Sequence, residues 1–282
     1  MIYLVLVSLV WSFSFGLIGN QLADLPPAWL AWIRLAISAA VFLPFVRRAP
    51  WKAVLTLFVI GMVQFGFMYL AYMTSFRYLK SHEVALFTVM TPLFVAALYD
   101  LSGRTFHPRN LIAAILAVCG AGIILWKGVS SAAPLIGLVL VQVSNLCFAA
   151  GQLAYRSQMN RLKQPLTDQQ VFFWLYLGGL VALTPIALPI ACSETPPAPT
   201  PAQLAILVYL GLVASGICFF LWNRGARQVS AGVLAVMNNL KIPLGVGVSL
   251  LIFHESAGWP TLLAGSLLLA IALFPVRKKR LA

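Results

Sequence analysis

Charged side chains are scarce in this chain, and acidic ones above all. The 282 residues include six Asp and Glu; charged residues make up 9% of the chain and hydrophobic residues 61%. Soluble domains average roughly 25% charged residues, so this composition excludes a soluble protein and predicts a polytopic membrane protein. The few acids form no run that resembles a proton relay.

Cysteine is also sparse, and catalytic motifs are missing. The four cysteines, Cys119, Cys147, Cys192 and Cys218, lack metal-ligand spacing, and three of them fall within apolar runs. We therefore expect no metal site and no disulfide. The sequence contains no phosphate-binding glycine loop, no zincin motif and no Ser/His/Asp pattern on a coherent face. These absences argue against an enzyme.

Long apolar stretches make up most of the chain. They lie near 2–19, 28–46, 54–76, 84–101, 109–126, 134–155, 170–191, 203–222, 231–253 and 259–275. Most can cross about 30 Å of hydrocarbon as helices, and they lack the short alternating pattern of barrel strands. We predict an all-α polytopic membrane protein with ten transmembrane helices. The first stretch lacks a preceding Lys or Arg and a following cleavage pattern, so we expect it to remain as the first helix.

The net charge of +13 is unevenly divided between alternate loops. With the N-terminus inside, fourteen Lys and Arg fall in inner segments, whereas Arg77, Lys80 and Lys127 fall in outer loops. This positive-inside bias predicts that both termini are cytoplasmic. We interpret the basic C-terminal tail as an anchor at the lipid bilayer and expect no binding to nucleic acid.

The ten stretches form two sets of five, with the joint near 130–134. Because each set crosses the membrane an odd number of times, the second set has the opposite orientation in the membrane to the first. We therefore predict two inverted five-helix repeats, the first over 1–130 and the second over 134–282.

Each half contains a proline within its fourth apolar stretch. Pro92 follows Ser81 by eleven residues, and Pro243 follows Ser230 by thirteen. A proline inside a helix removes a backbone hydrogen bond, and paired interrupted helices often mark a transport site. We predict that Pro92 and Pro243 break their helices and take part in gating. The alternative is purely structural, since prolines are common in membrane helices.

A lysine in the middle of a membrane-length run is the clearest sign of function. Lys241 lies about 15 Å from either end of the run 231–253, at 1.5 Å per residue. A cation at this depth costs roughly 2.5–3.5 kcal/mol on insertion scales, and the run itself contains no carboxylate. Another segment could supply the counter-charge, the amine could be neutral, or an anionic substrate could bind. The last alternative makes Lys241 part of a transporter site.

Two amides precede this lysine. In a regular helix Asn238 and Lys241 share a face, whereas Asn239 is displaced and could bond to a neighbouring helix. We predict substrate contact for Lys241 and Asn238 and keep Asn239 as a further candidate. For all three, hydrogen bonding between helices is the alternative.

A second basic residue within an apolar run is Arg34, near the outer end of the second stretch. Its side chain either snorkels to the headgroups or faces the interior. In the second case Arg34 and Lys241 form an electropositive path that favours anions. The other predicted substrate contacts are Asn145, Gln64, Tyr69 and Trp174. Helix packing is the alternative for the amides, and an interface belt for the aromatic residues.

Short segments in both halves resemble the EamA-type branch of the drug/metabolite transporter superfamily. They are 11–15, 34–36, 90–93, 120–122 and Gly265. A closer likeness, extending nearly end to end, is to the bacterial biotin importers of that family, through 86–92, 99–100, 142–145, 213–216, 222–223, 237–239 and 259–261. The resemblance implies ten helices, an inverted repeat and a substrate cavity between the halves, with no known cofactor. We predict no obligate protein partner. The longer spacing before Pro243 departs from the general family pattern.

The resemblance implies biotin as the small-molecule substrate, imported across the bacterial cytoplasmic membrane. The ureido ring of biotin needs donors and acceptors, which Asn238 or Asn145 could supply, and its carboxylate needs a cation, Lys241 or Arg34. Importing an anion against an inside-negative potential costs about 2.3 kcal/mol per 100 mV. We therefore predict proton coupling and point to Glu83, the one acid close to the membrane on the outer side. The alternatives are an exporter of amino acids, amines or other small metabolites, and a flippase subunit or structural membrane partner.

Overall fold

The computed structural model describes residues 1–125, 135–162, 166–194, 197–244 and 259–276. Within these ranges every regular element is helical, so the predicted all-α class is confirmed. The predicted joint at 130–134 lies outside the described residues.

The helices follow one another with short connections. The α-helices are α1 (Ile2–Gly16), α2 (Pro27–Phe42), α3 (Trp51–Gly61), α4 (Met68–Ser75), α5 (Ser81–Thr88), α6 (Thr91–Gly103), α7 (Pro108–Leu125), α8 (Leu135–Arg161), α9 (Asp168–Ala191), α10 (Pro201–Tyr209), α11 (Cys218–Arg227), α12 (Ala231–Met237) and α13 (Trp259–Ala272). The π-helical stretches are Leu17–Gln21, Met62–Phe67 and Leu210–Ile217, and a 3₁₀ turn covers Leu43–Phe45.

Six of the resulting helices are long and apolar enough to cross a membrane. They cover Pro27–Phe45, Trp51–Ser75, Glu83–Gly103, Leu135–Arg161, Asp168–Ala191 and Pro201–Arg227. The described residues also contain shorter apolar helices at Ile2–Ser14, Pro108–Ile124, Ala231–Leu244 and Leu262–Ala272. The chain is therefore a multi-pass membrane protein.

Two of the long helices contain a π-helical stretch at similar positions. The stretch Met62–Phe67 joins α3 to α4, and Leu210–Ile217 joins α10 to α11. A π-turn accommodates an extra residue without ending the helix, and such turns are frequent at functional sites. One stretch lies in each half of the chain.

Two other helices are interrupted near their proline residues. Helix α5 ends at Thr88, and α6 begins at Thr91 with Pro92 in its first turn. In the second half α12 ends at Met237, a turn covers 238–240, and 241–244, which includes Pro243, is helical again. Proline suits the first turn of a helix because its missing N–H has no intrahelical partner there.

The two halves pack closely through glycine residues. Helix α9 lies against α2, α3 and the Met62–Phe67 stretch. A Cβ atom at Gly61 would come within 1.9 Å of the Leu175 carbonyl oxygen, and one at Gly178 within 2.0 Å of the Phe58 carbonyl oxygen. Helices that approach this closely gain van der Waals contact that lipid does not replace, so these glycines fix the spacing of α3 and α9.

Candidate functional site

A partly open cavity lies between helices from both halves, and the space between its walls, counted together with its open mouth, is about 600 Å³. Its lining, among the described residues, consists of Trp11, Ser14, Ile18, Arg34, Met68, Tyr69, Tyr72, Thr88, Thr91, Ser144, Asn145, Phe148, Phe219 and Lys241. Two cations, several hydroxyl groups and one amide therefore face a largely aromatic and aliphatic space. This combination is typical of a small-molecule site.

Arg34 is held by neutral groups in this wall. Its Nε donates to Ser215 Oγ at 3.1 Å, and its second terminal nitrogen donates to the Tyr69 hydroxyl at 2.9 Å. The guanidinium carbon lies 4.6 Å from the centre of the Tyr69 ring, which adds a cation–π contact. The side chain is 3% exposed, so it faces the interior and does not reach the headgroups.

Arg34 belongs to neither of the ion pairs Asp100–His107 and Asp168–Arg227, and the partners described for its guanidinium are all neutral. Hydroxyl dipoles and an aromatic ring orient the guanidinium without cancelling its charge. The position is therefore favourable for an anion that enters the cavity.

The interruption of the helix at 238–240 places Lys241 in the cavity wall, whereas Asn238 and Asn239 form hydrogen bonds outside the cavity. Lys241 begins the helical residues after the turn and lines the cavity. Asn238 donates to Leu234 O at 2.8 Å within its own segment. Asn239 donates to Val89 O and to Ala117 O, both at 3.0 Å. The break at 238–240 explains the difference, because the regular periodicity that would align Asn238 with Lys241 does not continue through it.

The break between α5 and α6 is stabilised by side chains from α8. The Phe87 carbonyl, whose backbone hydrogen bond from the Met90 N–H is long at 3.5 Å, also accepts hydrogen bonds from Asn145 Nδ2 at 2.9 Å and from Gln142 Nε2 at 3.2 Å. Thr91 Oγ1 donates to Asn145 Oδ1 at 3.1 Å. Backbone groups freed at membrane depth need such partners. Asn145 therefore has a structural role in addition to its position in the cavity wall.

Aromatic rings cluster at one wall of the cavity, where Trp11, Phe148 and Phe219 line it and Trp222 packs against Trp11; we name these four residues the aromatic floor. The Trp11 ring lies 4.8 Å from that of Phe219, 5.0 Å from that of Trp222 and 5.9 Å from that of Phe148. The Trp11 indole N–H donates to Ala214 O at 2.8 Å, which fixes the ring. The floor offers flat apolar surfaces to a ring of similar size.

Four of the predicted substrate contacts are absent from the cavity lining: Asn238 and Asn239, whose hydrogen bonds are given above, and Gln64 and Trp174. Gln64 is fully buried and donates to Asn223 Oδ1 at 3.1 Å. Trp174 lies on α9, with its ring 5.4 Å from that of Phe173. Sequence reasoning did not single out Phe148, Phe219 or Ser215, because apolar residues and a serine in an apolar run carry no distinctive signal.

The chain is similar to known proteins over almost its full length. The model of the EamA-like transporter family matches residues 1–126 and 135–277. The biotin transporter of Salmonella typhimurium is 39% identical over 99% of this chain and 93% of its own length, and that of Escherichia coli K12 is 38% identical over the same shares. The probable biotin transporter of Pseudomonas aeruginosa is 38% identical over 99% of this chain and 98% of its own length.

A solved crystal structure has the same fold. It superimposes with a TM-score of 0.75 over 97% of this chain and 95% of its own, at 16% sequence identity. The family resemblance predicted from the sequence is thus confirmed. The chain is a transporter rather than an enzyme and belongs to the EamA-like transporter family.

Proposed function

We propose that this protein is a secondary transporter that imports biotin across the bacterial cytoplasmic membrane by alternating access. The observation that carries the proposal is the pair of cations, Arg34 and Lys241, in the wall of one cavity bounded by helices from both halves. Most of the other lining groups are hydroxyl, amide and aromatic side chains. Relatives that bear the name biotin transporter support the choice of substrate.

The chemistry of biotin matches the two kinds of group in the cavity. The carboxylate pairs with Arg34 and Lys241, and the ureido ring hydrogen-bonds with Asn145, which has both a donor and an acceptor. The fused rings then stack on the aromatic floor. Asn238 and Asn239 contribute by shaping the interrupted helix that carries Lys241, and Gln64 acts on the inner side of the floor.

The proposed architecture has ten transmembrane helices in two inverted five-helix repeats, 1–130 and 134–282, with both termini in the cytoplasm. The paired π-helical stretches and the paired interruptions near Pro92 and Pro243 support this repeat. Inverted repeats provide alternating access when one repeat rocks against the other around a central site.

Uptake of labelled biotin by bacteria that lack their own biotin importer tests the function. Cells that express the native chain are expected to show saturable uptake at nanomolar biotin, and cells that express Lys241→Met are expected to lose at least about 90% of it, since a lost charge-assisted bond is worth roughly 1.5–3 kcal/mol. Lys52→Met, at an exposed position near the start of α3, is the matched control.

Normal membrane levels of all three proteins must be verified by immunoblotting. No uptake by the native chain at such levels contradicts biotin import and favours export, which efflux of amino acids or amines from loaded cells would then test. If cells that express Lys241→Met still take up biotin, biotin remains the substrate, and Arg34 rather than Lys241 binds its carboxylate.

Proton coupling is proposed through Glu83 in the first turn of α5. Glu83 is 3% exposed, and its Oε2 accepts a hydrogen bond from the Lys80 backbone N–H at 2.9 Å. Entry of one proton with each biotin anion cancels the cost of about 2.3 kcal/mol per 100 mV that the membrane potential imposes on the anion.

Glu83→Gln is expected to make uptake insensitive to the proton gradient. Glutamine keeps an oxygen that can accept the Lys80 bond, so the start of α5 is preserved while the proton site is lost. Initial uptake rates with and without a protonophore, at two external pH values, measure the effect. If the native chain and the variant respond equally to the protonophore, Glu83 is not the coupling site.

A further inference from the structure

A second polar layer lies beneath the aromatic floor, on the same helix faces that line the cavity. Phe148 and Gln152 are four residues apart on α8, and Phe219 and Asn223 are four residues apart on α11. Residues with this spacing lie one above the other, about 6 Å apart along a helix. Gln152 and Asn223 are therefore one turn below the floor, towards the cytoplasm in the proposed topology.

Gln64 completes this layer from the Met62–Phe67 stretch. Its Nε2 donates to Asn223 Oδ1 at 3.1 Å, and the Trp222 indole N–H donates to Gln152 Oε1 at 2.8 Å. A Cβ atom at Gly151 would lie 2.2 Å from Gln64 Cβ, so Gln64 packs directly against α8. We name Gln64, Gln152 and Asn223 the amide ring.

Each member of the amide ring has one polar atom without a hydrogen-bond partner among the described residues. These atoms are Gln64 Oε1, Gln152 Nε2 and Asn223 Nδ2. All three residues are 0% exposed. Exchanging oxygen and nitrogen in the bonded amides of Gln64 and Asn223 leaves one donor and one acceptor unpaired in either arrangement. Buried polar groups in native proteins are nearly always satisfied by protein, water or ligand, so these three atoms can take a further hydrogen-bonding partner.

The unpaired set matches a cyclic urea. The carbonyl oxygen of a urea accepts two hydrogen bonds, which Gln152 and Asn223 can donate, and its N–H donates one, which Gln64 can accept. When Arg34 and Lys241 hold the carboxylate of biotin, the ureido ring is the end that lies on the floor. It is therefore the first part of the molecule to meet the amide ring when the floor opens.

We propose that the amide ring is a second, inner binding site that takes the ureido group during release to the cytoplasm. This inference rests on the proposed function. It separates two steps of transport: the outer cavity binds the carboxylate and captures the substrate, and the amide ring lowers the barrier for the ring system to pass the floor.

The ion pair beyond this layer fits the same path. Asp168 Oδ1 accepts hydrogen bonds from Arg227 at 2.6 Å and from the Tyr155 hydroxyl at 2.5 Å. Tyr155 follows Gln152 on α8, and Arg227 follows Asn223 on α11, each by about one turn. The described helices thus close the inner end of the path with an aromatic layer, the amide ring and an ion pair, in that order.

Variants of the full-length protein test the inner site in two assays. Equilibrium binding of labelled biotin to the purified protein reports the outer cavity, and exchange of labelled biotin across proteoliposomes reports passage. Gln152→Met and Asn223→Leu are expected to leave the Kd within about twofold of native and to slow exchange about tenfold, as expected when one or two net hydrogen bonds are lost.

Asn223→Asp is the conservative variant. It keeps an oxygen to accept the Gln64 bond and replaces the unpaired donor, so it is expected to slow exchange like Asn223→Leu even if the leucine variant folds poorly. A substrate analogue provides an independent test of the hydrogen bonds that Gln152 and Asn223 donate to the ureido oxygen. At neutral pH 2-iminobiotin is a protonated cyclic guanidine, in which a C=NH₂⁺ group that can only donate replaces the ureido C=O, so the bonds from Gln152 and Asn223 have no acceptor.

The ratio of native to variant exchange rates is expected to be about ten for biotin and near one for 2-iminobiotin, since a group that has lost its partner shows no further loss. Equal ratios for the two ligands, a Kd that rises in parallel with the loss of exchange, or native exchange in all variants each overturn the inner site. Absence of biotin binding by the native protein overturns the proposed function and the inner site together, whereas native binding with unaffected exchange in the variants overturns the inner site alone.

Discussion

Replacing Arg34 with methionine is expected to raise the biotin concentration for half-maximal uptake by at least a hundredfold, or to abolish uptake. The guanidinium is buried at 3% exposure in the cavity wall, and its hydrogen-bond partners are the Ser215 and Tyr69 hydroxyls and the Met73 sulfur. Because these partners are neutral, the positive charge remains available to a substrate carboxylate. Each hydrogen bond between charged groups contributes roughly 1.5–3 kcal/mol, and a guanidinium can form two with one carboxylate.

The neighbours of Arg34 provide graded controls. Arg34→Lys keeps the charge but loses the planar fork, so an intermediate loss is expected. Tyr69→Phe removes one hydrogen bond to the guanidinium and keeps the ring beneath it, so a loss of about three- to tenfold is expected for a bond of roughly 1 kcal/mol. Concentration dependence of uptake, corrected for membrane level, measures all three. Native affinity in Arg34→Met would show that Lys241 binds the carboxylate without help.

Adding a single methyl group at Gly61 or Gly178 is expected to prevent stable folding. A Cβ at either position would lie about 2 Å from a backbone oxygen of the facing helix, Leu175 O or Phe58 O. A backbone atom cannot move aside as a flexible side chain can, so α3 and α9 must separate. Overpacking typically costs about 1–3 kcal/mol and more where the backbone must shift, which is a large part of a typical stability of about 5–15 kcal/mol.

The matched control is Gly122→Ala on α7, where an added Cβ meets nothing within 4 Å. We expect Gly61→Ala and Gly178→Ala to lower both the membrane level and the melting temperature of the purified protein. Gly122→Ala should be at least as stable as the native protein, because alanine favours helix over glycine by about 1 kcal/mol and the added methyl group has no clash. A native melting temperature in Gly61→Ala would mean that α3 and α9 are farther apart than the structure places them.

The sequence predicted the class of the fold because the relevant physics is local. The length and polarity of a run decide whether a helix can span a membrane, and apolar runs of this kind are read directly from composition. The depth of Lys241 and Arg34 in such runs also made them candidates, and both line the cavity. Their burial follows from the cost of placing a charge in lipid, which is independent of which helices are neighbours.

The partners of the polar residues could not be predicted in the same way. Asn239 bonds to carbonyls 150 and 122 residues away, and Gln64 bonds to an amide 159 residues away. Such pairs depend on how distant helices pack against each other. The residues around one position do not show which distant residue its side chain will contact. Asn238 shows a second limit, because a regular helix was assumed across 238–240 where the structure has a turn.

The two hydrogen bonds of Asn239 bear on how long one conformation lasts. They join the turn at 238–240 to Val89 at the interruption between α5 and α6, and to Ala117 on α7. If these helices separate during a transport cycle, both bonds must break together, and each buried group left unpaired costs roughly 1–3 kcal/mol. Since about 1.4 kcal/mol on a barrier is a factor of ten in rate, the two bonds together would lengthen the time for which these helices stay in contact by about one to four orders of magnitude. Asn239 would then limit the rate of the transport cycle through these two hydrogen bonds, from a position outside the cavity lining.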